Sequence, residues 1–264
     1  MKAEKKAFRD GARRAGLRYR EVYAYDALFN GFSIVVDRAQ LSTLARLPGV
    51  KAIYPVETVA APAPTPGTSN PELLTALAMT GADVAQGQLG LDGSGVRVAV
   101  MDTGVDHDHP DFGGGGSPGT TAFPTARVVA GWDFVGDAFN ADPASASYNP
   151  VPVPDANPDD CNGHGTHVAG IIGADGAVKG VAPKVALGAY RVFGCQGSTT
   201  ADIMVAAMEQ VLADDMDVLN MSIGSTYQWP EYPTAKAATR LVNQYGLLHT
   251  GLAIQCFDNR ETHK

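Results

Sequence analysis

The sequence predicts an α/β protein in which a parallel sheet carries helices on both faces and is preceded by a small α+β unit. From about residue 71 onward, apolar strands alternate with amphipathic helices, an order typical of parallel sheets. The first 59 residues instead carry short strands in which polar and apolar residues alternate. Residues 60–70 combine small residues with proline and glycine and should form an exposed linker. We therefore expect two units, 1–59 and 71–264, joined by that linker.

The N-terminal unit is expected to contain two helices and three strands. Asp37 has the side chain of a helix N-cap, and Pro48 with Gly49 should end the helix that follows it. The predicted elements, in order, are a helix over 2–16, strands over 19–25 and 31–36, a helix over 38–47 and a strand over 50–55.

The second unit is expected to contain three buried strands and three helices. The predicted strands cover 96–101, 185–193 and 216–222, and the predicted helices cover 162–174, 199–213 and 235–245. A long loop rich in glycine, proline and acidic residues should separate the first strand from the first helix. In open sheets of this kind, ligands bind beyond the carboxyl ends of the strands. Chemistry should therefore lie near Asp102, Cys195 and Ser222.

The composition excludes several classes of protein. The 264 residues carry a formal net charge of −8, whereas phosphate binding needs clustered lysine and arginine, so no nucleic-acid partner is expected. Basic residues interrupt every apolar run among the first twenty residues, so no signal segment is visible there. No later run approaches the roughly 18 apolar residues of a membrane span, and we expect a soluble chain. Three cysteines fit neither a disulfide scaffold nor a zinc pattern.

Two segments carry residues suited to catalysis. Asp102 ends a strand in VAVMDTGVDHDHPDF, although such an aspartate is by itself more often a turn or cap residue. In NGHGTHVAGIIGA, His164 lies at the mouth of a small-residue helix and could reach a substrate, whereas we expect His167 to be a packed core histidine. A metal site that also uses His107 and His109 is a less favoured alternative, because no H-E-x-x-H pattern is present.

A third segment, LNMSIGS, ends a strand with small residues that leave its backbone edge open to an extended peptide. Considered on its own, this segment is better explained as a strand that simply ends in a turn. Together and in this order, VAVMDTGVDHDHPDF, GHGTHVAGII, GVAPKVALGAYRVF and DVLNMSIGS resemble the subtilisin-like serine peptidases, the subtilases, over about 90–246. Within 1–59, YAYDALFNGFSIVV and LPGVKAIYP resemble the inhibitory propeptide of that family.

The resemblance implies a subtilisin-like fold and an endopeptidase that cleaves polypeptide substrates through an Asp-His-Ser charge-relay triad. By motif position it assigns the aspartate of the triad to Asp102 and the histidine to His164. It assigns substrate binding to the backbone of Ser222, Ile223 and Gly224, opposite the segment RVFGCQGS. It also implies that the propeptide-like unit packs on the catalytic unit and that the parent protein is extracellular.

The resemblance implies no cofactor. Asp111, in HPDF, matches a position that binds structural calcium in some subtilases, so structural calcium stays an open alternative, but its other ligands are not identified and no metal residue is assigned. Cys161 precedes the His164 helix and Cys195 ends a strand that should run beside it. A disulfide between them and two unrelated cysteines both remain open, and Cys256 would be free in either case.

The serine of the triad has no counterpart in the expected place. The family's serine lies in a Gly-Thr-Ser motif well after the substrate-binding strand, whereas no serine follows Ser225. The GTS at 67–69 precedes Asp102 and belongs to the predicted linker. The oxyanion-hole asparagine also lacks a convincing counterpart, since the tail 247–264 departs from the family. We therefore expect an incomplete, truncated sheet and no hydrolysis by this chain.

Two functions follow from these observations. The first is a serine endopeptidase by lineage, and the alternative is a non-catalytic pseudopeptidase whose propeptide-like unit binds or inhibits other subtilases. A metal-dependent hydrolase is a third alternative. Three acidic residues, Asp155, Asp159 and Asp160, would favour basic substrates if they reached the cleft, although a solvated loop is the simpler interpretation.

Overall fold

The computed structural model describes residues 2–62, 73–224 and 229–251. The elements of its N-terminal unit are helix α1 (Lys2–Arg14), strands β1 (Tyr19–Tyr25) and β2 (Gly31–Val36), and the short helix α2 (Leu41–Ala45). Strands β1 and β2 pair in antiparallel fashion. A small apolar cluster connects them with the two helices, and its fully buried members are Ala12, Leu17, Leu44 and Leu47.

The first four predicted elements are present, and the fifth is displaced. Asp37 caps a turn as predicted, because its carboxylate accepts the N–H of Ala39 at 2.8 Å, but a 3-10 turn over Arg38–Gln40 precedes α2. The strand predicted over 50–55 is wrong, since the strand β3 lies at Thr58–Ala60. A strand forms where a neighbouring backbone edge can pair with it, and here that edge belongs to the second unit.

The second unit begins with two helices for which the sequence analysis made no prediction, α3 (Leu73–Thr80) and α4 (Ala82–Leu89). Its remaining elements are β4 (Arg97–Asp102), β5 (Val128–Asp133), α5 (His164–Gly173), β6 (Ala186–Arg191), β7 (Ser198–Thr200), α6 (Ala201–Ala213), β8 (Val218–Met221), α7 (Pro233–Tyr245) and β9 (Leu248–Gly251). All three predicted strands and helices are present. Strand β5 lies inside the predicted long loop, and β9 lies inside the tail expected to depart from the family.

Five strands form a parallel sheet in the order β5-β6-β4-β8-β9, so β4 is central. Val98 and Val100 of β4 belong to one apolar cluster, which also contains residues of α5. Ala99 and Met101 belong to a second cluster, which contains residues of α6 and α7. Because alternate residues of a strand point to opposite faces, the helices cover both faces of the sheet, as predicted.

Acidic side chains of α6 hold the N-terminal unit through hydrogen bonds. Glu209 of α6 accepts the N–H groups of Ala27 and Leu28, both at 2.9 Å. The hydroxyl of Ser33 donates to the carboxylate of Asp202 at 2.6 Å. The turn between β1 and β2 is therefore held by an acidic side chain of the second unit.

The longest helices of the described ranges, α1, α6 and α7, each span 13 residues. Among these ranges, no helix has the length and apolar character that crossing a membrane requires.

Candidate active site

A carboxylate and an imidazole meet at the carboxyl end of the central strand. Asp102, the last residue of β4, is fully buried, and its Oδ1 lies 2.7 Å from Nδ1 of His164, the first residue of α5. The N–H of Thr103 donates to the same oxygen at 2.8 Å. Within the described part of the chain, Oδ2 of Asp102 is buried without a hydrogen-bond partner. The structure thus brings together the two residues that the motifs singled out.

The close approach of α5 to β4 requires a glycine at position 165. A Cβ at Gly165 would lie 2.1 Å from the carbonyl oxygen of Gly104 and 3.1 Å from the Cβ of Asp102. The N–H of Gly165 also donates to Oγ1 of Thr103 at 2.8 Å. Any side chain here would force the first turn of α5, and with it His164, away from the carboxylate.

Asp160 holds the N-terminus of α5, a role that the sequence analysis missed. One carboxylate oxygen accepts the N–H of Thr166 at 2.9 Å and its hydroxyl at 2.6 Å. The other oxygen accepts the N–H groups of Asn162 at 2.8 Å and Gly163 at 3.0 Å. Acidic residues before a helix commonly satisfy its free N–H groups, and an aspartate four residues before His164 was a signal of this kind.

The electrostatic environment favours a protonated imidazole at His164. Its pKa is raised, first by the hydrogen bond to Asp102 and then by the negative charges of Asp102 and Asp160, while partial burial opposes the change. The side chain of His164 is 15% exposed, so a reactant can reach it. An imidazole oriented by a buried carboxylate is suited to general acid–base chemistry.

The other histidines have different environments. His167 is exposed, so its prediction as a core histidine is wrong: on α5 the buried side is formed by residues such as Val168. The ring of His107 is buried, with Nε2 3.2 Å from the carbonyl oxygen of Thr121, and His109 caps a 3-10 turn through Nδ1. In the described ranges, no group of three or more ligating side chains includes a histidine.

Cys161 and Cys195 form a disulfide, with their Cα atoms 5.1 Å apart, which decides between the two alternatives left open by the sequence. It connects the loop before His164 to the segment that follows β6. The two sulfur atoms and a carboxylate oxygen of Asp137 lie close enough together to hold a metal, but sulfurs joined in a disulfide offer no thiolate. Cys256 lies outside the described residues.

A cavity of about 480 Å³ lies beside this disulfide. Arg191 lines it and pairs with Asp133 at 3.1 Å and with Asp137 at 2.8 Å. Three acidic residues of the predicted loop also line the cavity: Asp155, Asp159 and Asp160. Each accepts backbone N–H groups of its own loop, which is a structural use of the carboxylates.

Strand β7 binds an extended segment of the N-terminal unit along one edge. Thr58–Ala60 of β3 pairs with it in antiparallel fashion, and the N–H of Ala61 donates to the carbonyl oxygen of Gly197 at 3.0 Å. On the opposite edge, the N–H of Ser198 donates to the side-chain oxygen of Asn140 at 3.1 Å. One edge of β7 is therefore held by Asn140, and the other edge accepts an extended chain.

Ser222, Ile223 and Gly224 follow β8, the strand next to the one that carries Asp102. Ile223 is buried in the same apolar cluster as Val59 of β3, whereas Gly224 is exposed. The hydroxyl of Ser222 accepts a hydrogen bond from the amide nitrogen of Asn220 at 3.1 Å.

The surroundings of Asp111 do not fit a calcium ion. Its two carboxylate oxygens accept the N–H groups of Ala177 at 2.7 Å and Val178 at 3.3 Å. A Cβ at Gly176 would lie 2.1 Å from one of these oxygens, so the turn closes tightly over the carboxylate. Calcium requires six to eight oxygen ligands, whereas this carboxylate faces hydrogen-bond donors. Backbone amides occupy both carboxylate oxygens of Asp111 in this chain.

Comparisons with known proteins agree with the motifs. The model of the subtilase family matches residues 93–255, and that of the peptidase inhibitor I9 family matches residues 5–61. The chain is 32% identical to the minor extracellular protease Vpr of Bacillus subtilis, over 81% of this chain and 25% of the relative. It is 39% identical to alkaline serine exoprotease A of Vibrio alginolyticus, over 50% of this chain and 20% of the relative.

Thermitase of Thermoactinomyces vulgaris is 32% identical over 51% of this chain and 39% of its own length. The matched part of the chain thus spans between 20% and 39% of these relatives.

Proposed function

The chain belongs to the subtilase family, and from that premise we propose that it is by lineage an extracellular serine endopeptidase acting on polypeptide substrates. The observation that carries the proposal is the 2.7 Å contact between Oδ1 of Asp102 and Nδ1 of His164. Asp102 orients the imidazole and stabilises its protonated form. In the charge-relay mechanism of the family, Nε2 of the histidine takes the proton of the serine hydroxyl and later returns it to the leaving amine, and His164 is oriented for that role. One relative, the minor extracellular protease Vpr, is an extracellular enzyme by name, which supports secretion.

The substrate chain lies between the backbone of Ser222, Ile223 and Gly224 and the edge of β7 that pairs with β3. The pairing of Thr58–Ala60 with β7 supports this, because it is the arrangement that an extended substrate would adopt. It also supports a propeptide role for the N-terminal unit, which fills the cleft with a segment of its own chain.

This polypeptide by itself does not hydrolyse peptide bonds. No serine follows Ser225 in this sequence, so the residues present here offer no counterpart of the family's nucleophile. Reaction of the purified chain with a serine-directed fluorophosphonate, followed by mass mapping, tests this. Thermitase labelled in parallel is the positive control. We expect no label on the chain, and heat-sensitive labelling at Ser222 or Ser225 would overturn the assignment.

The match to peptidase inhibitors favours a second candidate, a pseudopeptidase whose N-terminal unit inhibits other subtilases. In this chain the unit is already docked on its own second unit through Glu209. The test is to add the intact chain to active thermitase and to follow peptide hydrolysis. Unchanged hydrolysis favours the endopeptidase lineage, whereas saturable inhibition favours the second candidate.

A further inference from the structure

One side chain of the second unit holds the segment that leads into β3. The hydroxyl of Tyr232 donates to the carbonyl oxygen of Pro55 at 2.9 Å and accepts the N–H of Glu57 at 3.0 Å. Tyr232 is 2% exposed and occupies the N-cap position of α7. A phenol has one proton to donate and lone pairs to accept, so a single oxygen makes both contacts.

The protonation state of Tyr232 suits this double role. Burial raises its pKa to about 12, so the phenol keeps its proton throughout the physiological range. A neutral phenol is the form that can donate to the carbonyl oxygen of Pro55 while it accepts from Glu57.

Most of the contacts around Tyr232 involve the main chain of the bound segment. Besides the two hydrogen bonds to Tyr232, the carbonyl oxygen of Glu57 accepts the N–H of Ala201 at 3.0 Å. The side chains of Pro55 and Val56 are exposed. Positions 55 and 56 should therefore tolerate many side chains. A proline at position 57, by contrast, would remove the N–H that Tyr232 binds.

Side-chain contacts occur on either side of this main-chain region. The ring of Tyr54 meets that of Tyr232 edge to face, with centroids 6.1 Å apart, and the ammonium of Lys236 lies 6.0 Å from the Tyr54 ring. Val59 is 3% exposed. An aromatic residue and an apolar residue five positions apart thus flank the stretch that Tyr232 binds.

We propose that Tyr232 is the centre of a further peptide subsite, which binds the main chain of an extended polypeptide on the N-terminal side of the β7 pairing. The subsite prefers an aromatic residue at its far end and rejects proline at the position of Glu57. This inference rests on the proposed function of the cleft as a peptide site. In the intact chain the segment 54–57 fills the subsite.

The test uses the full chain with Val59→Asp, which places a charge in a buried position and releases the segment. Two labelled peptides are then compared by fluorescence anisotropy, one with the sequence of residues 54–61 and one with that of 58–61. We expect the longer peptide to bind about tenfold more tightly, because it adds two hydrogen bonds to Tyr232, one from the N–H of Ala201 and an aromatic contact. A longer peptide with Glu57→Pro should lose this advantage.

Two further variants identify the residue responsible. Tyr232→Phe in the Val59→Asp chain removes only the hydroxyl and should reduce the advantage of the longer peptide to about twofold. Tyr245→Phe, on the exposed end of α7, should leave it unchanged. Equal affinity of the two peptides, or no effect of Tyr232→Phe, would overturn the subsite while leaving the cleft intact. Binding of neither peptide would overturn the cleft itself.

A second measurement decides the matter if Val59→Asp does not fold. In the otherwise unchanged chain, amide hydrogen exchange at Glu57 should be about tenfold faster with Tyr232→Phe than with Tyr245→Phe. Equal exchange in the two variants would overturn the proposal.

Discussion

The carboxylate of Glu209 accepts the N–H of Leu28 at 2.9 Å, across 181 positions of the chain. It accepts the N–H of Ala27 as well, so Glu209 is a main contact between the N-terminal unit and α6, beside the contact of Ser33 with Asp202. Replacing Glu209 therefore tests how much this contact between the two units contributes to the stability of the chain.

Glu209→Ala should lower the free energy of unfolding by about 1–3 kcal/mol, because the N–H groups of Asp26, Ala27 and Leu28 lose a charged acceptor. Urea denaturation measures the change. Glu231→Ala is the matched control, since the side chain of Glu231 is 73% exposed and pairs with Lys236 at the surface. The control should cost less than about 1 kcal/mol. Equal effects of the two variants would contradict the role assigned to Glu209.

Gly165→Ala should destabilise the chain by about 2 kcal/mol or more, because the added Cβ would lie 2.1 Å from a backbone oxygen. It should also weaken the contact between His164 and Asp102. Gly170→Ala in the same helix is the control, since a Cβ there meets nothing within 4 Å. That control should be neutral or slightly stabilising. Thermal unfolding of the two variants distinguishes a steric effect from a general intolerance of substitution in α5.

Asp102→Asn should lower the pKa of His164, because the hydrogen bond that the imidazole donates to the carboxylate is the largest cause of its elevation. Titration of the His164 imidazole by NMR measures this directly. Asp92→Asn, at an exposed turn bonded to Ser94, should leave the titration unchanged. An unaltered His164 titration in Asp102→Asn would mean that the contact does not govern the imidazole.

The same pair makes stability depend on pH. Because the pKa of His164 is raised above its ordinary value of 6.5, its protonation stabilises the fold fully below that pH. This contribution should be lost as the pH rises through the elevated pKa of the folded state. Urea denaturation over this range should show the decline in the original chain and a smaller one in Asp102→Asn. Equal pH slopes in the two chains would contradict the linkage.

Replacing both Cys161 and Cys195 with serine should lower the free energy of unfolding by roughly 3–4 kcal/mol, since the disulfide closes a loop between residues 34 positions apart. Urea denaturation of the double variant measures it. Cys256→Ser, which leaves the disulfide intact, is the control. A double variant as stable as this control would show that the disulfide does not constrain the unfolded chain.

Asp111→Ala should cost about 1–3 kcal/mol, because the N–H groups of Ala177 and Val178 lose their acceptor. The cost should be the same in calcium and in a chelator, since amides and not a cation hold the carboxylate. Thermal unfolding of both chains under both conditions provides the comparison. A larger cost in calcium would restore the metal role that the family resemblance implied for this position.

Much of the fold and of the candidate site was predictable because the relevant signals are local. The apolar run of β4 and the small-residue pattern of α5 lie within single segments, so Asp102 and His164 were assigned to the correct ends of these elements. β1 and β2 were also predicted with their observed bounds. Strand β5 was missed because it contains Gly131 and lies between polar loops.

The sequence alone determined the family, the α/β class and the two residues suited to acid–base chemistry, because motif spacing and residue periodicity are properties of neighbouring positions. Only the tertiary structure decided that β3 begins at Thr58, that the two cysteines are joined and that Tyr232 binds the main chain at Pro55 and Glu57. Each of these depends on segments more than 30 positions apart, and backbone edges and side chains so distant in sequence meet only after the chain has folded.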